Sequence, residues 1–254
     1  MESHNILEYG EFISSVRQNR DSKFGFLLGA GTSLSSGVQS ASDCIWDWKR
    51  EIYCRYNENH RINFPDARSK FAKSQIQKWL DAQGGYPALG AEEEYVFYAE
   101  KAHPIASDRV RYFNSLIHDK VPYVGYRLLC LLNKYLIVES VWTTNFDGMA
   151  ERAAHQMNIT PKVITLDNQQ DIYRTISNTE LMCISLHGDY KYSTLKNTSS
   201  ELDNQSEVFC QVMTYYFTTR HLVVLGYSGR DNSLMSALKN TFTTSGAGRL
   251  YWCE

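Results

Sequence analysis

The stretch Phe24-Gly25-Phe26-Leu27-Leu28-Gly29-Ala30-Gly31-Thr32-Ser33 decides the fold of this chain. Its first half is a short apolar run, and its second half passes at once into small and hydroxyl-bearing residues. An apolar run of this length before a glycine turn predicts a buried β-strand that ends in a loop. Residues 43–56 follow with apolar side chains at helical spacing. The sequence therefore predicts a strand, a turn and a helix as its opening unit.

Three further apolar runs end in the same abrupt way. Residues 137–142 lead into Thr143-Thr144-Asn145-Phe146-Asp147, residues 183–186 lead into His187-Gly188, and residues 222–225 lead into Gly226-Tyr227-Ser228. In an open parallel sheet, ligands bind outside the carboxyl ends of the strands. We therefore predict that the four strand ends line one crevice, although roughly 200 residues separate the first from the last.

Strand and helix patterns alternate along most of the chain, which predicts right-handed parallel crossovers. We expect an α/β, Rossmann-like fold with a mostly parallel sheet and helices on both faces. Residues 57–121 interrupt the alternation with helical, aromatic-rich sequence and are interpreted as a helical insertion. Residues 126–135 predict a buried helix. The chain ends in the apolar run Leu250-Tyr251-Trp252-Cys253-Glu254, so residues 1–254 are expected to be the amino-terminal part of a longer protein.

Composition excludes several classes of function. Hydrophobic residues make up 43% of the 254 residues, which argues against disorder, and no apolar run approaches the length of a membrane span. The net charge of -2 gives no basic footprint for nucleic acid. The first residues predict no secretory signal, and the six cysteines form no C-x-x-C pair. We expect a cytoplasmic protein with reduced thiols and with neither nucleic acid nor membrane as a direct partner.

Each site motif has two interpretations when it is judged alone. The Gly29-Ala30-Gly31-Thr32-Ser33 loop suits a pyrophosphate, because glycines allow close backbone approach and a helix start offers N–H donors. Leu34 stands where a G-x-G-x-x-G motif has its third glycine, so a plain turn would look alike. Asn145 and Asp147 are also ordinary strand-ending or capping residues, and His187 fits a protein core. Ser228 and Asp231 could simply begin the next helix.

Taken together, the motifs G-A-G-x-S, T-x-N-x-D, H-G and G-x-S resemble the sirtuin superfamily of NAD-consuming enzymes. The resemblance implies that Asn145 orients the nicotinamide ribose and the attacking water. It also implies that Asp147 holds the carboxamide of the nicotinamide and that His187 is the general base. The residues that it assigns to NAD binding are Gly29, Ala30, Gly31, Thr32, Ser33, Gly226 and Ser228.

The sequence also departs from sirtuins that deacylate proteins. Those enzymes carry two C-x-x-C pairs after the H-G motif, whereas here only Cys210 lies between His187 and Gly226. No tetrahedral zinc site follows from one cysteine, so we expect no metal. Gln39-Ser40-Ala41-Ser42 replaces the P-D-F-R run of the deacylases. The F-G-E strand that binds their substrate peptide has no counterpart here.

What remains is similar to the sirtuin-like NAD hydrolase domains of prokaryotic antiviral defence systems. This resemblance implies cleavage of NAD to nicotinamide and ADP-ribose. It further implies a sensor module as partner, of an Argonaute-associated, helicase or phage-receptor type, and a homo- or hetero-oligomer in the active state. Three alternatives remain open on the residues alone, of which the first two are a divergent NAD-dependent deacylase and a regulatory module that binds NAD or ADP-ribose without catalysis. A doubly wound domain for another nucleotide is the third.

The insertion is expected to control activity. Gly84, Gly85 and Pro87 offer a hinge, and an unregulated NAD hydrolase would deplete its own host. The aromatic side chains Tyr95, Phe97 and Tyr98 either pack the insertion onto the sheet or line a protomer interface. Trp46 and Trp48 are expected near the mouth of the cofactor site.

Overall fold

A computed structural model of the chain describes residues 6–58, 66–91, 93–165, 171–173, 177, 179–186, 206–243 and 246–253. Its centre is a six-stranded sheet in which every pairing is parallel. The strands are β1 (Lys23–Leu28), β2 (Val138–Thr143), β3 (Thr160–Thr165), β4 (Glu180–Ser185), β5 (Arg220–Leu225) and β6 (Leu250–Cys253). They lie in the order β3-β4-β2-β1-β5-β6, which confirms the predicted α/β, Rossmann-like class.

Nine α-helices are seen in these residues. They are α1 (Tyr9–Gln18), α2 (Ala41–Tyr56), α3 (Lys70–Gln83), α4 (Glu94–Ala102), α5 (Ala106–Ile117), α6 (Val124–Lys134), α7 (Met149–Gln156), α8 (Ser206–Phe217) and α9 (Asn232–Thr243). A 3-10 helix, Ala30–Ser36, follows β1 directly. None of the helices in the described ranges is long and apolar enough to cross a membrane.

The central strand β1 explains why the opening stretch is so apolar. It pairs with β2 on one side and with β5 on the other, so both of its edges are covered. Its side chains alternate between the two faces of the sheet, as a strand requires. Leu27 packs with α8 and α9 on one face, whereas Leu28 packs with α6 and α7 on the other. Burial on both faces accounts for a continuous apolar run without polar alternation.

The four helices α2 to α5 build a separate core, and we call residues 41–117 the helical module. Its centre is formed by Trp48, Ile52, Ile76, Leu80 and Tyr98, all of which are almost fully buried. The predicted insertion of residues 57–121 contains α3, α4 and α5, joined by loops, and its described residues include no strand. Helix α2 shares this core although it precedes the insertion in sequence.

The core of the helical module contains a buried ion pair. Lys49 is 0% exposed and donates to Glu94 and to Gln77 Oε1, the latter at 2.8 Å. Its ammonium group also lies over the rings of Trp46 and Tyr98, at 4.7 and 4.8 Å from the centroids. Burying a lysine is costly unless its charge is paired, and here both a carboxylate and two aromatic faces compensate it.

Helix α6 departs from the prediction of a buried helix. Tyr126, Leu129 and Cys130 do face the sheet and are buried. The opposite side is in solvent, where Leu128 is 53% and Tyr135 71% exposed. The prediction was wrong for half of the helix, because apolar residues on all sides of a helix were taken to mean burial on all sides.

Candidate functional site

The sheet order brings three of the predicted strand ends side by side. Strands β2, β1 and β5 are neighbours, so the loops that begin after Thr143, Leu28 and Leu225 leave the same edge of the sheet. After β1, the chain adds β2, β3 and β4 on one side of that strand, and only then adds β5 and β6 on the other side. A crevice forms at such a switch point, outside the carboxyl ends of the strands.

The loops after β1 and β5 are locked together through their glycines. The Gly31 N–H donates to the Gly226 carbonyl at 2.9 Å. A Cβ atom at Gly29 would lie 2.5 Å from that carbonyl oxygen and 2.5 Å from Tyr227 Cα. Gly226 has a φ of +60°, which favours glycine, and a Cβ there would lie 2.6 Å from the Thr32 nitrogen. The glycines are therefore required by the contact between the two loops.

Asn145 joins the loop after β2 to the loop after β1. Its Nδ2 atom donates to the Gly29 carbonyl at 3.0 Å and to Ser33 Oγ at 3.1 Å. Its backbone N–H donates to Thr143 Oγ1 at 3.0 Å, which fixes the turn at the end of β2. With Nδ2 engaged in this way, the side-chain oxygen is the atom left for a ligand or a water.

Asp147 is a buried carboxyl group with two uncharged partners. Ser33 Oγ donates to Oδ2, and the Met149 N–H donates to Oδ1 at 2.9 Å, where it caps the start of α7. Burial raises the pKa of Asp147, and this effect exceeds the lowering by the Ser33 hydrogen bond. The side chain thus combines the predicted capping role with a direct contact to the glycine loop.

Tyr126 is a member of the site that the sequence analysis missed. It reaches inward from α6, and its hydroxyl lies 2.7 Å from Ser33 Oγ and 3.1 Å from Thr32 Oγ1. Ser33 donates its own proton to Asp147, so the single proton of the tyrosine hydroxyl is donated to Ser33 Oγ, the nearer of the two oxygens. Burial, and next the charge of Asp147, raise the pKa of Tyr126 to about 12. A tyrosine inside an apolar run was the available signal.

A pocket opens beside this network at the ends of β1, β2 and β4. Its polar lining comes from Tyr126, Thr143, Asn145, Asp147, Glu151 and Ser185, and its apolar lining includes Leu28, Val141, Phe146, Met149 and Cys183. Its volume of about 20 Å³ is enough for one water molecule, so this cavity does not by itself hold a nucleotide.

The remaining predicted residues lie in different situations. Ala30 and Ser228 are exposed at the rim of the two loops. Asp231 accepts hydrogen bonds from the N–H groups of Ser233 and Leu234 and so caps α9, as its capping interpretation predicts. His187 and Gly188 lie outside the described residues. The chain is described up to Leu186, whose N–H donates to the Thr143 carbonyl at 2.9 Å.

An aromatic pair connects the helical module to the site. Phe146, between Asn145 and Asp147, lies 5.6 Å from Phe113 of α5, measured between ring centroids. Trp48 is buried in the module core beside Tyr95 and Phe113, not at the mouth of the crevice. The expectation for Trp48 was wrong, because helical spacing placed it on the inner face of α2.

The aromatic residues predicted at an interface pack inside the module. Tyr98 is 0% exposed, and Tyr95 and Phe97 pack against the same core. These side chains pack into the module's own core rather than onto the sheet, and the buried Tyr98 is not available to an interface. Within the described ranges, no three His, Cys, Asp or Glu side chains are grouped as a metal site would need.

Comparison with known proteins adds a family signal to this geometry. Residues 139–253 match the family model of the SIR2-like domain. This part of the chain is SIR2-like in sequence. The SIR2-like region contains Asn145, Asp147, His187, Gly226 and Ser228, but it begins after the glycine loop of β1. The match supports a relationship with the sirtuin superfamily. No curated protein sequence matches the chain.

Solved sirtuin structures follow a similar course of the chain at low identity. One, described as the structural basis of sirtuin substrate affinity, has 15% identity and a TM-score of 0.45, covering 97% of this chain and 87% of that chain. Sir2 with the inhibitor EX-527, 2'-O-acetyl-ADP-ribose and deacetylated p53 peptide has 14% identity and a TM-score of 0.42, covering 96% and 85%. Sir2 with p53 peptide and NAD+ has 13% identity and a TM-score of 0.41, and the match covers 97% of this chain and 86% of that chain. Such values say nothing about ligand or activity.

Proposed function

We propose that this chain is an NAD glycohydrolase, which cleaves NAD to nicotinamide and ADP-ribose. The observation that carries the proposal is the contact of Asn145 with Gly29 and Ser33. It joins the T-x-N-x-D motif of the SIR2-like region to a glycine loop that lies outside that region. Two motifs from distant parts of the sequence thus meet at a single strand-end crevice, where α/β folds bind nucleotides.

The chemistry of NAD cleavage suits these side chains. Breaking the bond between nicotinamide and ribose expels a neutral leaving group and develops positive charge on the ribose. The enzyme has to orient the carboxamide, stabilise that charge and place a water. The free oxygen of Asn145 is suited to accept a hydrogen bond from the water. Each Asp147 oxygen keeps a second lone pair that the carboxamide NH2 can reach.

Other roles in the proposal follow the motifs. His187 is the proposed general base, acting on the water directly or through a ribose hydroxyl, and losing such a base costs about 10²–10⁴ in rate. Gly29, Ala30, Gly31, Thr32 and Ser33 are proposed to contact the phosphates. Gly226 and Ser228 are proposed to form the wall near the adenosine ribose. No metal enters this mechanism.

The test is release of nicotinamide from NAD by the purified chain, alone and with its genomic neighbours. We expect Asn145→Ala to lower turnover by about 10²-fold or more, since it removes the proposed water-positioning group. Asn240→Ala is the matched control, because Asn240 is exposed on α9 away from the strand ends. Normal turnover by a folded Asn145→Ala variant would refute the assignment.

The same assay separates the alternatives. A deacylase would release nicotinamide only when an acylated peptide is added. A regulatory binding module would bind NAD or ADP-ribose in calorimetry but release no nicotinamide under any condition. Retention of Asn145 beside a crevice favours the hydrolase, since a pure binder has no use for a water-positioning amide.

The biological role that we propose is depletion of NAD in antiviral defence, in the cytoplasm, under the control of a sensor partner. Its support is the resemblance of the motifs to defence-associated hydrolase domains. We expect the isolated chain to turn over NAD slowly and the trigger-bound assembly to turn it over several orders of magnitude faster. Equal specific activity in both states would refute activation by assembly.

A further inference from the structure

Helix α6 has an apolar face that is exposed in the part of the chain that the structure describes. Val124, Leu128, Leu131 and Tyr135 are all exposed and follow one another at spacings of four, three and four residues. Those spacings place them on one stripe of the helix, opposite the buried face. A helix that is apolar on both faces is normally buried on both. The stripe is therefore a surface that requires a partner.

The size of the surface suits a stable protein contact. Val121, Tyr123 and Leu136 extend the stripe at its two ends and are 62%, 56% and 48% exposed. Together with the stripe they offer roughly 700 Å² of exposed surface, close to the about 800 Å² that each partner contributes to a standard interface. Scattered apolar residues need no explanation, but a contiguous patch of this size marks an interaction site.

The charges around the stripe favour a second copy of the same chain. Helix α6 carries only two charged residues, Arg127 and Lys134, and both lie on one flank. The other flank presents Gly125 and Leu132, which have no charge. When two copies are related by an axis parallel to α6, the basic flank of one lies along the uncharged flank of the other. No like charges then meet, and the stripe itself is self-complementary.

We propose that the outer face of α6 binds the outer face of α6 in a second copy, with the two helices parallel. The association does not rest on the proposed function. Its effect on activity does, because the inner face of the same helix carries Tyr126, which holds Ser33 and Thr32 of the glycine loop. A partner on the outer face would restrain the helix that orders this loop.

Sedimentation equilibrium of the full chain over a range of concentrations tests the association without any measurement of turnover. We expect a reversible dimer, or a larger even assembly, for the wild type. Leu128→Glu should be monomeric with an unchanged circular dichroism spectrum. Leu89→Glu is the control, because Leu89 is equally an exposed leucine, at 62%, but lies outside α6. It should associate like the wild type.

A cross-linking variant tests the face and the direction of the helices. In the parallel arrangement residue 128 meets residue 128 of the partner, so Leu128→Cys should give a disulfide-linked dimer on mild oxidation, and Leu89→Cys should not. This arm stands even if the glutamate variant fails to fold. A wild type that stays monomeric at every concentration would overturn the proposal and assign the face to another protein. Association by a folded Leu128→Glu variant would also overturn it.

Discussion

The molecule contains two buried polar clusters that solve the problem of buried charge in opposite ways. In the helical module, Lys49 and Glu94 neutralise each other, and Gln77 and two aromatic rings complete the shell of the ammonium. At the strand ends, the Asp147 carboxyl is bound by a serine hydroxyl and a backbone N–H, both uncharged. A structural cluster has its charge compensated from within. At the strand ends the compensation is weaker: the positive charge of Arg152 also acts on Asp147, but burial has the larger effect on its pKa.

The largest effect is expected from breaking the compensated pair. Lys49→Met should lower the free energy of unfolding by about 3–5 kcal/mol, because it leaves Glu94 buried and unpaired. Adding Glu94→Gln should restore most of that loss, since the amide still accepts from the Gly90 N–H and carries no charge. Urea denaturation of the three proteins measures both changes. If Lys49→Met alone is as stable as the wild type, the description of Lys49 and Glu94 as a buried ion pair is contradicted.

A substitution in the glycine contact should have the next largest effect. Gly29→Ala would place a Cβ 2.5 Å from backbone atoms of the loop after β5, and overpacking of this kind costs about 1–3 kcal/mol. The control is Gly10→Ala in α1, where a Cβ would meet nothing within 4 Å. The control should be neutral or slightly stabilising, as alanine favours helix over glycine. Thermal unfolding distinguishes the two, and equal midpoints would contradict the contact.

The contribution of the Asp147 carboxyl to stability should depend on pH in a definite direction. Burial raises the pKa of Asp147 in the folded state, so the folded state holds this proton at higher pH than the unfolded chain does. Its contribution to stability is therefore fully present below the unfolded value of 3.8 and is lost as pH rises through the folded pKa. Asp147→Asn cannot titrate, and its single side-chain oxygen can accept from the Met149 N–H or from Ser33 Oγ but not from both.

The difference in stability between this variant and the wild type should therefore grow in favour of Asp147→Asn as pH rises from 3.8 toward neutrality. Urea unfolding at a series of pH values measures it. A difference in stability that is constant with pH would contradict a raised pKa of Asp147 in the folded state. If the proposed function is right, Asp147→Asn should also lower the turnover of NAD.

The smallest effect is expected from Tyr126→Phe, which removes one hydroxyl and leaves the ring in place. Ser33 keeps its bonds to Asp147 and Asn145, so the loss should be about 1 kcal/mol. As a positioning residue, Tyr126 should affect the KM for NAD more than kcat. The difference absorbance spectrum between wild type and variant should show one tyrosine that ionises near pH 12. If the tyrosine that the variant lacks ionises near pH 10 in the wild type, the burial of Tyr126 beside Asp147 is contradicted.

The sequence was sufficient for the sheet and for the loops at its strand ends. Short, largely apolar runs that stop at small or polar residues predicted β1, β2, β4 and β5, because a strand buried on both faces leaves a largely apolar signal. It was not sufficient for contacts made across the chain. Nothing local to Gly29 announces that Gly226 will lie against it, and nothing local to Tyr126 announces a hydroxyl 2.7 Å from Ser33.

The outer face of α6 was missed for a related reason. Periodicity reports which residues are apolar, but it does not say whether the second apolar face meets the same chain or another one. The position of Trp48 also needed the fold, since a tryptophan on an amphipathic helix packs equally well against a sheet or against neighbouring helices.

The place of β1 in the sheet bears on how the molecule folds. The first strand of the chain lies between β2 and β5, and Leu28 pairs with Thr143 on one side and with Leu225 on the other. Contacts so distant in sequence close large loops, and topologies dominated by them fold slowly. During synthesis β1 and its glycine loop must wait until β5 has emerged before the Gly31 to Gly226 bond can form. A fragment of residues 139–253 alone would lack the strand on which β2 and β5 both pair.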